Sequence, residues 1–162
     1  MKNLTLNCIV LAVGFLAGCS KTETAAPVKE AVHHHEHKPP HGGAPVELGE
    51  EENHVEFVLD APNGKLQAFV MDGELENFVR IAEPSLEIAA QVSGRQEKLM
   101  LQAVANHATG EKVGDTSLFE AQADWLKTTP AFDAVLKEIT VHTKTYTNIA
   151  FNFPKGSDEG KK

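Results

Sequence analysis

Cysteine is scarce in this chain: of 162 residues, only Cys8 and Cys19 carry a thiol, and both lie within the first 19 positions. No disulfide framework can therefore hold the rest of the chain together, even in a compartment that would allow one. The same scarcity excludes thiol–disulfide exchange and thiolate catalysis. The folded part must depend on a hydrophobic core.

Positive charge and catalytic signatures are lacking as well. Lys and Arg number 15 against 23 Asp and Glu, which gives a formal net charge of -8. This balance argues against nucleic acid or anionic lipid as a partner and is compatible with cationic partners, including metal ions. The sequence has no G-x-S-x-G elbow, no H-E-x-x-H helix and no phosphate-binding glycine loop. We therefore predict that the protein is not an enzyme.

Long hydrophobic runs are absent too. The longest, from Cys8 to Ala17, is too short to span a bilayer, which takes about 20 residues. It follows Lys2 and precedes small residues, and this layout is typical of a secretory signal peptide. We assign residues 1–18 to that signal.

The end of the apolar run, Leu16-Ala17-Gly18-Cys19, resembles the lipobox of bacterial lipoproteins. That resemblance implies that Cys19 is lipidated and becomes the first residue of the mature protein. More than one acyl chain gives stable membrane anchoring. Ser20, in place of an Asp, favours the periplasmic face of the outer membrane. The alternative is an ordinary cleaved signal peptide and a secreted protein.

Residues 19–46 and 155–162 have little that could form a core. The first segment is rich in Ala, Thr, Lys, Glu, His, Pro and Gly, and the second, "KGSDEGKK", is mostly charged. Such segments bury too little apolar surface to offset the entropy of ordering them. We predict a flexible His-rich linker followed, after the folded domain, by a disordered tail.

Residues 47–154 have the alternation of β-strands. In "HVEFVLD" the apolar residues Val55, Phe57 and Leu59 alternate with polar ones, and Asn63-Gly64 supplies a turn before "KLQAFVMD". Seven or eight such strands, separated by turns every 8 to 12 residues, predict an all-β fold: an antiparallel β-sandwich of immunoglobulin-like size. "DWLKTTP" predicts one helical turn before Pro130.

The sequence "VHHHEHKPPH" holds a dense group of histidines just before this domain. Neutral imidazole is a good ligand for zinc, copper(II) and nickel, and neighbouring imidazoles can chelate one ion together. The alternative is a polar linker that binds metals only because any His-rich peptide does. The candidate ligands are His33, His34, His35, His37 and His41.

His54 and Glu56 lie on the polar side of the first strong strand. If the linker folds back, His54 completes a metal site on the folded domain. The alternative is that both side chains form an ordinary exposed strand face.

The segment from Pro39 to Ile81 resembles a segment of bacterial envelope proteins found near heavy-metal efflux systems. The resemblance is carried by a His-Gly-Gly element, a His-x-Glu strand and a Gly-x-Leu strand that ends in Asp: His41, Gly42, Gly43, Leu48, His54, Glu56, Gly64, Leu66 and Asp72. It implies metal binding or sensing in the periplasm, with His41 and His54 as the most transferable ligands. The chain has no room for the helical hairpin and lipoyl-like domain of an efflux adaptor.

Two functions follow from these observations. The first is a lipid-anchored envelope protein that binds or buffers zinc, copper(II) or nickel through its histidines, without an organic cofactor. The second is a non-catalytic interaction module that docks on an envelope or efflux protein, with the His-rich segment only a linker. An exposed edge strand would favour the second, but the sequence does not show which strand is at an edge.

Overall fold

The computed structural model describes residues 38–157, and this part of the chain is all-β. The all-β antiparallel prediction is confirmed, with two short 3-10 helices at Ala61–Asn63 and Asp124–Lys127. None of the helices in this range is long and apolar enough to cross a membrane. The eight strands are β1 (Ala44–Leu48), β2 (Asn53–Asp60), β3 (Lys65–Asp72), β4 (Ser85–Val92), β5 (Arg95–Ala103), β6 (Leu118–Gln122), β7 (Phe132–Val141) and β8 (Lys144–Phe153).

The strands form one nearly closed sheet in the order β1-β2-β3-β6-β5-β4-β7-β8, with every neighbouring pair antiparallel. Two four-stranded halves meet at β5 and β6, which pair only at Gln102↔Glu120 and Ala103↔Phe119. At the other end β1 and β8 contact each other. The sheet therefore encloses the core between two layers.

Alternation along the strands fills this core. Val55 and Phe57 of β2 are fully buried, as are Leu86 and Ile88 of β4 in the other half. The Phe57 ring stacks on Phe151 of β8, with 4.6 Å between ring centroids. Burial of such side chains is the main stabilising contribution, about 1.5–3 kcal/mol each.

The long hairpin of β7 and β8 changes which face it turns to the core. Along β7 the buried side chains are at even positions up to Leu136, which pairs with Ile149, and at odd positions from Ile139, which pairs with Tyr146. The ladder is interrupted there, and Asn148 has a positive φ of 53°. Because the ribbon turns over at this point, both apolar sets along the hairpin are buried.

The predicted range of the domain, residues 47–154, is too short at both ends. β1 begins at Ala44, and Ala44 and Val46 are fully buried although the linker was expected to reach residue 46. At the other end, the Ser157 backbone N–H donates to the Pro45 carbonyl at 3.1 Å, and Ser157 Oγ accepts from the Glu47 N–H at 2.8 Å. The first residues of the predicted tail thus join β8 to β1. The predictions for residues 1–37 and 158–162, including the signal and Cys19, lie outside the described residues.

Candidate functional site

The His-Gly-Gly element forms a tight turn that enters β1. The Gly42 N–H donates to the Pro39 carbonyl at 3.1 Å, and Gly42 has a φ of +68°, a conformation that suits glycine. This turn carries His41 back across the outer face of β2. Residues 15 positions apart in the sequence are thereby brought together.

Glu56 receives this turn. Its side chain is fully buried, and Oε1 accepts from the backbone N–H groups of His41 at 2.9 Å and Gly43 at 2.8 Å. Oε2 lies 2.7 Å from His41 Nδ1. A buried carboxylate is tolerated when its oxygens are hydrogen-bonded in this way. The Glu56 carboxylate is the centre on which the His-Gly-Gly turn is built.

The second glycine of the turn is required by close packing. A Cβ atom on Gly43 would lie 2.3 Å from the carbonyl oxygen of Phe57 and 2.8 Å from Cγ2 of Val58. Both are atoms of β2, which the turn must approach for the two backbone N–H groups to reach Glu56. Any larger residue at position 43 would push the turn away from the carboxylate.

The His41 ring is fixed in orientation. It stacks on Phe69 of β3 with 4.0 Å between centroids and 11° between planes, and Phe78 lies 5.9 Å away. Since the Glu56 carboxylate accepts a hydrogen bond from Nδ1, Nε2 lies on the other side of the ring and carries the lone pair of the neutral imidazole. The His41 side chain is 34% exposed, so solvent reaches the ring. This carboxylate–imidazole pair is the arrangement in which a histidine presents Nε2 to a metal ion.

His54 is not on an exposed face. Its side chain and that of Glu56 are 2% and 0% exposed, so the expectation of an exposed polar strand face is wrong for both. His54 Nδ1 lies 3.4 Å from the Asp72 carbonyl oxygen, and Leu75 in the loop after β3 is buried as well. His54 is therefore a buried side chain of the fold and is not open to a metal ion from solvent.

Asp72 holds the loop that follows β3. Its carboxylate accepts hydrogen bonds from the backbone N–H groups of Glu76 and Asn77 and from the Asn77 side-chain amide at 2.7 Å. Partial burial raises the pKa of Asp72, but these hydrogen bonds outweigh it, and the net pKa is lowered. The loop carries Phe78, which is 54% exposed, to a position where its ring centroid lies 5.9 Å from that of His41.

The candidate ligands of the tract, His33, His34, His35 and His37, lie outside the described residues. Within residues 38–157, no three His, Cys, Asp or Glu side chains form a group that could hold a metal ion. Of the two candidate ligands in this range, His41 presents a solvent-accessible imidazole and His54 does not. β2 carries both His54 and Glu56, and it is Glu56 that contacts His41.

No family model matches the chain. No curated protein and no solved structure is significantly similar to it either.

Two aromatic residues of the site are missed by sequence reasoning. Phe69 stacks on His41, and Phe78 lies beside both rings, 6.1 Å from Phe69. The turn after β2 is visible in the sequence, but the 3-10 helix Ala61–Asn63 within it is not, and this helix sets Asp60 opposite Lys65 and so Glu56 opposite Phe69. Phe78 follows the strand in a loop, where no periodicity fixes its position.

Proposed function

We propose that the protein is held at the bacterial cell envelope by lipid on Cys19, at the periplasmic face of the outer membrane, and binds divalent transition-metal ions through histidines. The lipobox-like end of the signal supports the anchor. The composition of residues 33–41 and the orientation of His41 support the metal. Zinc, copper(II) and nickel are the candidate ions, because each accepts imidazole nitrogen.

The observation that carries the proposal is the contact of 2.7 Å between His41 Nδ1 and the buried Glu56 carboxylate. A carboxylate that accepts from one ring nitrogen fixes the tautomer and raises the basicity of the other nitrogen. Removing such a partner commonly costs 10- to 100-fold in metal affinity. Glu56 Oε1 holds the turn through the two backbone N–H groups, and Oε2 is left to orient the His41 ring.

One imidazole does not make a site, so the remaining ligands must come from elsewhere. His37 precedes His41 by four positions and His33 precedes it by eight. Four residues span at most about 14 Å, so the chain length allows the His37 imidazole to reach an ion at His41 Nε2. The site then consists of one imidazole fixed on the domain and others supplied by the chain just before it.

Isothermal titration of zinc, copper(II) and nickel into the chain that starts at Ser20 tests this proposal. We expect His41→Gln to weaken binding by tenfold or more, and a free peptide of residues 32–42 to bind far more weakly than the protein. His54→Gln is the matched control, because it also removes an imidazole, and we expect its affinity to equal that of the native chain. A free peptide that binds as tightly as the protein would show that the domain contributes nothing.

A further inference from the structure

Along most of its length, β5 has one edge that no strand within residues 38–157 covers. It pairs with β4 from Arg95 to Gln102, whereas β6 lies beside it only at Gln102 and Ala103. From Arg95 to Leu101, none of the residues in the described range 38–157 forms a ladder with the other edge. The two end strands of the sheet, β1 and β8, are different, because they contact each other.

The direction of the backbone groups on this edge follows from their neighbours. The Ala103 N–H donates to Pro84 on the β4 side, and the Val104 N–H donates to Leu118 on the β6 side. Backbone groups alternate along a strand. The N–H and C=O groups of Gln96, Lys98 and Met100 therefore point away from β4, toward the uncovered edge.

The backbone of β5 is regular along this edge. The β4–β5 register runs without a bulge from Ser85↔Gln102 to Val92↔Arg95, and β5 contains no proline. Natural edge strands are usually shortened, kinked, covered or given charged side chains to avoid pairing with other chains, and of these devices β5 has its charged residues Arg95, Glu97 and Lys98. Where β5 and β6 diverge, an opening of about 580 Å³ lies beside Met100 and Ala103, next to the Lys65–Glu120 ion pair. This opening leaves room for the side chains of an incoming strand.

A second copy of the chain fits this edge poorly. A two-fold axis through residue 98 would pair Gln96, Lys98 and Met100 with the second copy, but it sets Lys98 opposite Lys98. If the axis moves one residue toward the β4–β5 turn, Glu97 lies opposite Glu97. Like charges directly opposite each other destabilise a strand pair. Moving the axis the other way carries the second copy into β6, which already lies beside Gln102.

We propose that the outer edge of β5 binds an extended segment of a partner polypeptide by strand addition, with an acidic side chain opposite Lys98. This goes beyond metal binding and rests on different residues. Lys98 Nζ lies 2.7 Å from Glu87 Oε2, but its side chain is 61% exposed. Exposed ion pairs contribute little, so the Lys98 ammonium group can interact with a carboxylate of the partner as well. Backbone hydrogen bonds supply affinity in this mode, and side chains supply the choice of partner.

Titration of two synthetic peptides into the ¹⁵N-labelled chain starting at Ser20, followed by its amide chemical shifts, tests the proposal. The peptides are acetyl-Thr-Val-Thr-Glu-Thr-Val-Thr-amide and its counterpart with Lys in place of Glu. We expect the Glu peptide to shift the amides of Gln96, Lys98 and Met100 and to bind at least threefold more tightly than the Lys peptide. Lys98→Glu should reverse that preference.

Met100→Pro removes one outward N–H without removing a bond to β4, and we expect it to abolish binding of both peptides, while Met100→Thr retains it. If Met100→Pro fails to fold, the charge reversal at Lys98 decides alone. The proposal is overturned if neither peptide shifts the β5 amides, or if the preference is the same with Lys98→Glu. A native chain that sediments as a dimer, and as a monomer with Lys98→Glu or Met100→Pro, would overturn it equally.

Discussion

The imidazole of His41 and the carboxylate of Glu56 meet at 2.7 Å, and the same carboxylate accepts the His41 backbone N–H at 2.9 Å. One residue therefore contacts Glu56 through both its main chain and its side chain. Because Glu56 is fully buried, a flip of the His41 ring would leave Glu56 Oε2 without its hydrogen-bond partner. The direction of Nε2 is a consequence of the fold.

Glu56→Gln should change the tautomer of His41. The amide oxygen of Gln replaces Oε1 as acceptor for the two backbone N–H groups, which leaves the amide NH₂ facing Nδ1 as a donor. We expect the ring proton to move to Nε2 in the neutral imidazole. Ring ¹⁵N shifts measured above pH 8 check this, and an unchanged Nδ1–H tautomer in the variant would mean that Glu56 does not control the ring.

Gly43→Ala should destabilise the domain more than Gly42→Ala. A Cβ at position 43 meets the Phe57 carbonyl, and we expect a loss of about 3 kcal/mol, the upper end for overpacking. At position 42 a Cβ meets no atom within 4 Å, so only the positive φ is penalised, by about 1 kcal/mol. Urea unfolding of both variants measures the difference. Equal losses would contradict the close approach of the turn to β2.

Glu111→Gln should flatten the acid side of the stability profile. Burial raises the pKa of Glu111, but hydrogen bonds from Ser117 and Thr109 outweigh it and, with Arg80, hold the pKa below its ordinary value of 4.5. The stabilisation by this carboxylate is therefore complete above pH 4.5 and is lost as the pH falls through the lower folded value.

We expect the native chain to lose more stability than Glu111→Gln between about pH 5 and 3. Urea unfolding at several pH values measures this, with Glu138→Gln, a change at an exposed carboxylate, as the control. Parallel profiles for the native chain and Glu111→Gln would contradict the role of these hydrogen bonds.

His54→Ala should reduce stability while leaving metal affinity unchanged. The side chain is 2% exposed and lies against β3, where Met71 pairs with His54 in the ladder. Removing the imidazole leaves a cavity and takes one contact away from the Asp72 carbonyl, and we expect the free energy of unfolding to fall by about 2 kcal/mol. Thermal unfolding and a zinc titration of the same sample separate the two effects. A large fall in zinc affinity with unchanged stability would restore His54 as a ligand.

Period-two alternation made the strands and most of the core predictable. Val55, Phe57, Leu86 and Ile88 face the core as their alternation with polar residues indicates. The turn at Asn63-Gly64 is also visible in the sequence. These features are local, because a strand's two faces and a tight turn are specified by residues next to each other.

The burial of His54 and Glu56 could not be predicted in this way. Their polar character indicates a solvent-facing side of β2, yet the turn at His41 covers Glu56, and His54 is buried with Nδ1 3.4 Å from the Asp72 carbonyl oxygen. These contacts come from segments 13 to 18 residues away in the sequence, and alternation within one strand carries no information about them. The same limit applies to β5, whose uncovered edge depends on where β6 diverges.

Metal binding at the fixed imidazole is tested most directly by comparing the zinc affinities of the chain starting at Ser20 and of its Glu56→Gln variant. Competition with a chromophoric chelator at pH 7.5 measures both affinities. We expect the variant to fold and to bind zinc about tenfold or more weakly, since the Gln amide in place of the carboxylate puts the ring proton on Nε2, the nitrogen that would bind the ion. Equal affinities in two folded proteins would contradict this role of the His41–Glu56 pair.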